Sequence, residues 1–311
     1  MERKDLKDFS VVVPVYNSEQ SLTELFERLK RVFNGMNKTF EVIFVNDHSK
    51  DNSYKVLKEI YGKNEDVTVI DLMKNYGQHN ALMCGFNHCN GKFIITIDDD
   101  LQNPPEEIPK LYQKVINGYD AVFGTYYTKQ HKNYKNIGSY MIGKLNNKIF
   151  STENKINFSS FRILKKPIID EIKLMRTPFP YISGMVLSIT NSVANVEVNH
   201  SKRKYGKSSY NLRKLLNLSL NLLINYSSIP LRFIGTLGLI ISGISFLLGC
   251  IYILRKLLLG TPPAGWTTIV VLLSFYNSII LIIFFILGEY ISRILRELSN
   301  FRQFTIREVL K

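Results

Sequence analysis

Residues 92–106 read KFIITIDDDLQNPPE, and this stretch indicates the fold class. It opens with an apolar, β-branched run, Phe93–Ile97, which predicts a buried strand. Three carboxylates, Asp98, Asp99 and Asp100, follow directly. Acids packed at the end of a core strand repel one another unless a cation or a polar ligand lies between them. The stretch therefore predicts a ligand-binding site at the carboxyl end of a buried strand.

The order of the three acids predicts separate roles for them. Successive side chains on a strand point to opposite faces, so we expect Asp98 and Asp100 on one side and Asp99 on the other. Carboxylate oxygens suit Mg²⁺ or Mn²⁺, which proteins commonly share with substrate phosphates. We therefore predict that Asp98 and Asp100 bind a divalent metal, and that Asp99 caps a helix or contacts a ligand. A solvated acidic turn is the alternative interpretation.

The chain before this stretch alternates apolar strands with helices. The predicted strands are Ser10–Val15, Phe40–Val45 and Val67–Leu72, and a helix follows each of them. This alternation predicts βαβ units, a mostly parallel sheet and right-handed crossovers. An α/β domain is therefore expected over residues 1–210.

Each predicted strand ends in a polar cluster, and ligands of parallel sheets bind at this edge. The clusters are Tyr16–Glu19, Asp47–Asp51, Lys74–Gln78 and Asp98–Gln102. Polar residues at all of these strand ends predict one shared binding site, which includes Lys74 and Gln78. Because no GxGxxG or GxxxxGKS motif occurs, neither a dinucleotide fingerprint nor a P-loop is expected.

The composition indicates an anionic partner. The 311 residues carry a net charge of +14, with 40 Lys and Arg against 26 Asp and Glu. Phosphorylated substrates and a membrane surface account for this excess, so nucleic acid is not expected as a partner. The three cysteines, Cys84, Cys89 and Cys250, lack metal-ligand spacing and predict free thiols in a reducing compartment.

A basic segment, His200–Tyr210, interleaves cations with Gly, Ser and Tyr. This composition predicts a loop that folds around phosphate oxygens, whereas a solvated surface loop is the alternative. The segment includes Arg203, Lys207, Ser208 and Tyr210.

The last part of the chain is apolar and predicts membrane association. Residues 211–228 predict an amphipathic helix at the membrane interface. Within 229–290, two uncharged runs, 233–254 and 267–288, are each long enough to cross a bilayer, with a pair of buried core helices as the alternative. The excess of Lys and Arg on both sides of this pair predicts that both termini are cytoplasmic, including a tail over 291–311.

Four motifs together resemble family 2 glycosyltransferases. They are VPVYNSE at 13–19, NDHSKD at 46–51, DDDLQNPPE at 98–106, and the spacing Arg203-x-x-Gly206-x-Ser208-x-Tyr210. The set is similar to the polyprenyl-phosphate branch, which includes dolichol-phosphate mannose synthases and bactoprenol glucosyltransferases. The paired apolar runs and the sequence Gly288-Glu289-Tyr290 favour its bacterial subgroup. The resemblance covers nearly the whole chain.

The resemblance implies a GT-A fold, a nucleoside-diphosphate sugar donor, Mg²⁺ or Mn²⁺, and a polyprenyl phosphate acceptor such as undecaprenyl phosphate. It also implies a multi-pass protein of the bacterial inner membrane that forms a homo-oligomer and inverts the sugar C1 in one displacement. UDP-glucose is the donor expected by default, and a UDP-N-acetylhexosamine or a deoxysugar donor is the alternative.

The resemblance also assigns roles to individual motif residues. The base and ribose are expected at Pro14, Tyr16, Asn17, Glu19 and Asp47, with Asp98 and Asp99 completing the nucleotide-sugar site. The metal is expected at Asp98, Asp100 and Gln102. The donor diphosphate or the acceptor phosphate is expected at Arg162, Arg203, Lys207, Ser208 and Tyr210. The expected catalytic residues are therefore Asp98, Asp100, Arg203 and Lys207.

The chain departs from the family pattern at three positions. Asp99 stands where the family often has a small residue, and Ser159-Ser160 stands where some relatives have an acid, which argues against a base there. Arginine is absent after the predicted strand that ends at Tyr126, so acceptor contacts are expected at Lys129 or Lys132.

Two other functions fit parts of the sequence. A processive polysaccharide synthase would use the same fold, but it is expected to carry a QxxRW-like motif and more membrane helices. A non-catalytic membrane-anchored module, for example an assembly partner for a flippase, would not need Asp98, Asp100 and Gln102. These residues therefore favour an enzyme.

Overall fold

The computed structural model describes two compact units of the chain. The described residues are 6–126, 156–175, 177, 180–201, 204, isolated positions from 235 to 258, 265–298 and 302–311. One unit comprises residues 1–215 and 301–311, and the other comprises residues 216–300.

The first unit is an α/β domain. Its described strands are β1 (Phe9–Val15), β2 (Phe40–Asn46), β3 (Val67–Leu72), β4 (Phe93–Thr96), β5 (Ala121–Tyr126), β6 (Arg162–Lys165), β7 (Val193–Val198) and β8 (Ile306–Leu310). Its described helices are α1 (Leu22–Met36), α2 (Ser53–Tyr61), α3 (Gln78–Phe86), α4 (Ile108–Ile116), α5 (Lys166–Leu174) and α6 (Ile182–Ile189), with a 3₁₀ turn at Pro105–Glu107. These strands form one sheet in the order β7-β5-β6-β4-β1-β2-β3-β8.

Parallel pairing brings the carboxyl ends of four strands to one edge of the sheet. β1 pairs in parallel with β2 and β4, and β2 pairs in parallel with β3. In this register Val15 lies beside Asn46, and Val12 lies beside Thr96. The predicted mostly parallel sheet is confirmed, although β6 and β8 run antiparallel to their neighbours.

The central strand β1 is buried on both faces. Val11, Val13 and Val15 belong to one apolar cluster, whereas Val12 belongs to the cluster on the opposite face. The helix α3 packs closely against the second face at Gly85. A Cβ at this position would lie 2.3 Å from Val12 Cγ1, so the close approach requires glycine. Since helices cover both faces, polar ligands have access to the sheet at its strand ends.

The end of the chain contributes a strand to the sheet of the α/β domain. β8 pairs antiparallel with β3, with Leu310 beside Val69 and Glu308 beside Asp71. The Tyr54 hydroxyl of α2 donates to the Glu308 carboxylate. A five-residue strand with charged residues gives only a weak sequence signal. The α/β domain therefore includes β8, a strand that lies outside the predicted domain bounds of residues 1–210.

The described part of the second unit contains the helix α7 (Trp266–Leu298). Among the described residues it is the one helix whose length and composition would allow it to cross a membrane, and its apolar window Phe275–Ser292 is not buried in the structure. The predicted span 267–288 lies within α7. The predicted interfacial helix 211–228 and most of the predicted span 233–254 lie outside the described residues.

Candidate active site

The loops after β1 and β2 hold each other by hydrogen bonds. The Asn17 N–H donates to Ser49 Oγ (3.0 Å), and the Lys50 N–H donates to Asn17 Oδ1 (2.7 Å). The Asn52 N–H donates to Glu19 Oε2 (2.9 Å). Asn17 takes a left-handed conformation with φ 54°, which asparagine tolerates better than most residues. Asn17 and Glu19, both predicted to bind the nucleotide, therefore fix the shape of these loops.

The other predicted nucleotide residues divide into buried and exposed ones. Pro14 lies within the buried strand β1, and Asp47 is 3 % exposed. Tyr16 is 44 % exposed, and the Lys74 ammonium lies 5.1 Å from the centre of the Tyr76 ring. An exposed aromatic ring can stack on a base, and a cation near the strand ends can bind a phosphate.

Asp47 connects the end of β2 to the loop after β3. Its Oδ1 accepts a hydrogen bond from the Tyr76 N–H (2.7 Å), and its Oδ2 accepts one from the Gly77 N–H (2.8 Å). Burial raises the pKa of the Asp47 carboxyl, and these two donors oppose the rise. Gly77 takes φ 86°, a conformation that favours glycine. Asp47 therefore orders the loop that carries Lys74 and Gln78.

The acidic turn begins just after β4 ends at Thr96. Asp98 Oδ1 accepts a hydrogen bond from Gln78 Nε2 (2.6 Å), and Asp98 Oδ2 accepts one from Ser160 Oγ (2.5 Å). Gln78 begins α3, and Ser160 precedes β6. The structure therefore brings together two predicted site residues, Asp98 and Gln78, and adds Ser160 to them.

Asp100 and Gln102 form the second half of the turn. The Gln102 N–H donates to Asp100 Oδ1 (3.1 Å), and Leu101 between them takes φ 60°. The Ser201 N–H donates to the Gln102 carbonyl (2.9 Å), and Gln102 Nε2 lies 3.4 Å from His200 Nε2. The start of the basic segment therefore packs directly on the turn that was predicted to bind metal.

Asp99 faces the loop after β1. Its Oδ2 accepts a hydrogen bond from the Tyr16 N–H (3.0 Å), and its carbonyl accepts one from Ser21 Oγ (2.5 Å). Burial raises the pKa of the Asp99 carboxyl to about 7; the Ser18 side chain and the Tyr16 N–H oppose this rise, and the charges of Asp98 and Asp100 add to it. Asp99 therefore joins the acidic turn to the β1 loop, a contact that the sequence pattern did not indicate.

Arg162 is buried inside the domain, where it is 1 % exposed. Its Nε donates to Thr96 Oγ1 (2.9 Å), and its Nη1 donates to Ser183 Oγ (3.1 Å). The Thr96 hydroxyl donates in turn to the carbonyl of Ser160, whose hydroxyl binds Asp98. Burial lowers the pKa of Arg162 to about 10. Arg162 thus connects to the acidic turn through Thr96 and Ser160.

Tyr126, at the end of β5, is a further residue of this edge. Its hydroxyl donates to Asn103 Oδ1 (2.7 Å), and its ring lies 4.2 Å from the His200 ring between centres. The position of Tyr126 at the end of a strand is the feature of the sequence that could have identified it as a site residue.

Lys204 Nζ donates a hydrogen bond to Glu24 Oε2 of α1 (2.6 Å), which connects the basic segment to the domain. The predicted residues Lys129, Lys132, Arg203, Lys207, Ser208 and Tyr210 lie outside the described residues.

Comparison with known proteins identifies the family. The model of glycosyl transferase family 2 matches residues 10–173, which is more than half of the chain. The chain belongs to glycosyl transferase family 2. The matched region runs from β1 into α5 and contains the four strand ends described above. The predicted family membership is therefore confirmed, and the protein is a glycosyltransferase.

Two curated relatives of this family 2 enzyme are similar over nearly its full length. The undecaprenyl-phosphate 4-deoxy-4-formamido-L-arabinose transferase of Proteus mirabilis is 34% identical over 304 residues, covering 97% of this chain and 93% of the relative. The transferase of the same name from Aeromonas hydrophila is 31% identical over 314 residues, covering 100% and 96%. The similarity therefore extends through both units.

Solved structures share the fold at lower sequence identity. Glucosyl-3-phosphoglycerate synthase from Mycobacterium tuberculosis, in complex with Mn²⁺, UDP and phosphoglyceric acid, has a TM-score of 0.54 at 15% identity, covering 70% of this chain and 76% of that chain. The same synthase with Mg²⁺ and UDP has a TM-score of 0.52 at 14% identity, covering 70% and 77%. The predicted GT-A fold of the α/β domain is therefore confirmed.

Proposed function

We propose that this glycosyltransferase moves a sugar from a nucleoside-diphosphate sugar to undecaprenyl phosphate. One observation carries the proposal: the turn from Asp98 to Gln102 lies at the strand edge where the loops after β1, β2 and β3 are joined by hydrogen bonds. Ligands of such sheets bind at this edge. The acceptor is proposed because both curated relatives are named as undecaprenyl-phosphate transferases.

The nucleotide half of the donor binds at the first three strand ends. The exposed ring of Tyr16 is suited to stack on the base, and the ordered loops of Asn17 and Asp47 present polar groups to the ribose. Lys74 supplies positive charge near the donor phosphates.

The oxygen ligands of the acidic turn fit a divalent cation. Asp98, Asp100 and the amide oxygen of Gln102 are hard ligands of the kind that Mg²⁺ and Mn²⁺ prefer. Within the described residues, no three or more His, Cys, Asp or Glu side chains form a metal cluster. This donor set suits an ion held by few side chains and completed by substrate phosphates. When bound, the ion would neutralise negative charge on the leaving diphosphate.

The acceptor phosphate can attack without a strong protein base. Its second pKa is about 6, so it is already anionic at neutral pH. A phosphate oxygen forms a bond to the sugar C1 while the bond from C1 to the donor diphosphate breaks, and the nucleoside diphosphate leaves with the electron pair. A single displacement inverts C1. The proposed phosphate contacts of Arg203 and Lys207 stabilise the charge on both groups.

The second unit anchors the enzyme in the bacterial inner membrane. α7 has the length and apolar composition of a spanning helix. With a first span over 233–254, α7 would return the chain to the cytoplasm, where β8 completes the sheet of the α/β domain. A lipid acceptor held in the same membrane meets the site as a local rather than a bulk reactant. We propose a homo-oligomer as the assembled form.

The proposal is tested with membranes that contain the enzyme, Mg²⁺ and undecaprenyl phosphate, and with a panel of labelled nucleotide sugars. The panel includes UDP-glucose, which is the donor that the family resemblance implies by default, a UDP-N-acetylhexosamine and a nucleotide-linked 4-deoxy-4-formamido-L-arabinose. One labelled sugar per lipid is the expected product. Long polymers would identify a processive synthase. Failure to label the lipid, combined with unchanged donor binding in Asp100→Asn, would indicate a binding module.

Asp99→Ala is expected to leave divalent-metal affinity within about threefold of wild type, because Asp99 bonds to the Tyr16 N–H rather than to the predicted ligands. The Tyr16 N–H loses its acceptor, so unfolding free energy should fall by about 1–2 kcal/mol. Mn²⁺ titration in the presence of UDP and thermal unfolding measure the two effects. Asp100→Ala is the comparison variant and should lose metal affinity. A metal affinity equally reduced in both variants would assign Asp99 to the metal.

A further inference from the structure

The last strand carries a cation to the edge of the donor site. Arg307 Nη1 donates to Asp71 Oδ2 (2.9 Å), and its Nη2 donates to the Met73 carbonyl (3.2 Å) and lies 3.3 Å from His48 Nδ1. Asp71 belongs to β3, and His48 belongs to the loop after β2. Arg307 therefore joins three segments of the domain that are far apart in the sequence.

The partner of Arg307 is a buried carboxylate. Asp71 is 1 % exposed, and its Oδ1 accepts a hydrogen bond from Asn46 Nδ2 (2.7 Å). Of the salt bridges within the described residues, only the one to Arg307 includes Asp71. Because a buried charge needs a counter-charge, the position of Asp71 depends on this arginine.

The network continues from Asp71 into the loops of the donor site. Asn46 Oδ1 accepts a hydrogen bond from the Ser49 N–H (3.2 Å), and Ser49 Oγ accepts one from the Asn17 N–H (3.0 Å). One chain of hydrogen bonds thus runs from Arg307 through Asp71 and Asn46 to Asn17. Within the described part of the chain, the hydrogen bonds and the salt bridge of Arg307 go to residues other than those predicted to bind the nucleotide.

The contact between Arg307 and His48 sets the orientation of the histidine ring. A guanidinium has no acceptor atom, so the interaction requires His48 Nδ1 to accept and the ring proton to lie on Nε2. His48 takes a left-handed φ of 59°, and its neighbour Asp47 holds the loop after β3. Fixing this ring therefore helps to hold a backbone turn that few residues adopt.

We propose that Arg307 is a positioning residue for the nucleotide half of the donor, which it serves by holding Asp71 and His48. The inference rests on the proposed nucleotide-sugar donor. It assigns a function to β8: the strand supports the loops that bind the donor and does not itself contact substrate. The chemical class that it serves is a nucleoside diphosphate, since the supported loops are those of Asn17 and Asp47.

The test uses the full-length enzyme with separate measurements for donor and acceptor. Arg307→Ala should raise the donor KM and weaken UDP binding about tenfold, with the acceptor KM and kcat within about threefold. Arg307→Lys should recover part of the loss, because an ammonium can pair with Asp71 but lacks the planar fork that also reaches His48. Arg302→Ala removes an exposed cation from the same segment and should behave as wild type.

A double-mutant cycle separates positioning from general stability. If Arg307 acts partly through His48, the variant that combines His48→Ala with Arg307→Ala should bind UDP no more than about twofold worse than Arg307→Ala alone. Should Arg307→Ala fail to fold, Asp71→Asn with Arg307→Met removes both charges, and weakened UDP binding is still expected. The inference is overturned if Arg307→Ala and the Asp71→Asn, Arg307→Met double variant, or whichever of them folds, bind UDP as wild type does. It is also overturned if Arg307→Ala raises the donor KM and the acceptor KM equally. Wild-type enzyme that binds UDP but labels no lipid would instead refute the proposed acceptor.

Discussion

Asp100→Asn is expected to lower the kcat of sugar transfer by about 1,000-fold, the largest effect among the substitutions considered. The amide keeps the shape of the carboxylate and can still accept the Gln102 N–H bond, which measures 3.1 Å in the wild-type protein. It removes the negative charge that a divalent cation requires. Transfer of labelled sugar to undecaprenyl phosphate measures kcat, and the melting temperature should stay within about 2 °C of wild type.

Asp99→Asn is the matched control for this experiment, because it makes the same change of carboxylate to amide at the adjacent position. Its amide oxygen can still accept the Tyr16 N–H bond, so the β1 loop should keep its conformation and most activity should remain. The metal role of Asp100 would be refuted if Asp100→Asn kept more than about a tenth of wild-type kcat at saturating Mg²⁺. Recovery of activity at raised Mn²⁺ in Asp100→Asn would support that role.

Local sequence signals were sufficient to predict the centre of the fold. The strand Phe93–Thr96 and the polar residues that follow it can be recognised in a short stretch of sequence, because the apolar run is followed directly by the turn residues. The strand edge and its ligand-site character follow from the same reasoning. The direction in which each acidic side chain points does not follow from this reasoning. The strand ends at Thr96, and a turn in which Leu101 has φ 60° orients the carboxylates.

Long-range pairing accounts for what the sequence did not reveal. Arg307 and Asp71 are 236 positions apart, and no local pattern indicates which strand a short charged segment will join. Arg162 illustrates a second limit. The family resemblance implied a phosphate contact for Arg162, whereas the structure buries its guanidinium, which arginine rarely allows, and holds it on Thr96 and Ser183.

Arg162→Met is expected to lower kcat by about 100-fold while the protein stays folded. Methionine can occupy much of the same apolar volume, and it removes the desolvation cost of a buried charge. The chain from Arg162 through Thr96 and Ser160 to Asp98 loses its first donor, so Asp98 is held less firmly. Kinetics and thermal unfolding measure the two quantities, and Arg162→Lys should retain more activity than Arg162→Met.

The pH dependence of stability gives a second readout for Arg162, through His79. Burial and the Arg162 charge lower the pKa of His79 to about 4, from an ordinary value of 6.5. A histidine with a lower pKa in the folded state contributes stability above about 6.5, and that stability is lost as pH falls towards 4. Arg162→Met removes one cause, so the pKa of His79 should rise and the fall in melting temperature between pH 7 and pH 4 should become smaller. Arg162→Lys should keep the wild-type profile. If Arg162→Met retains both full kcat and that profile, Arg162 does not position Asp98.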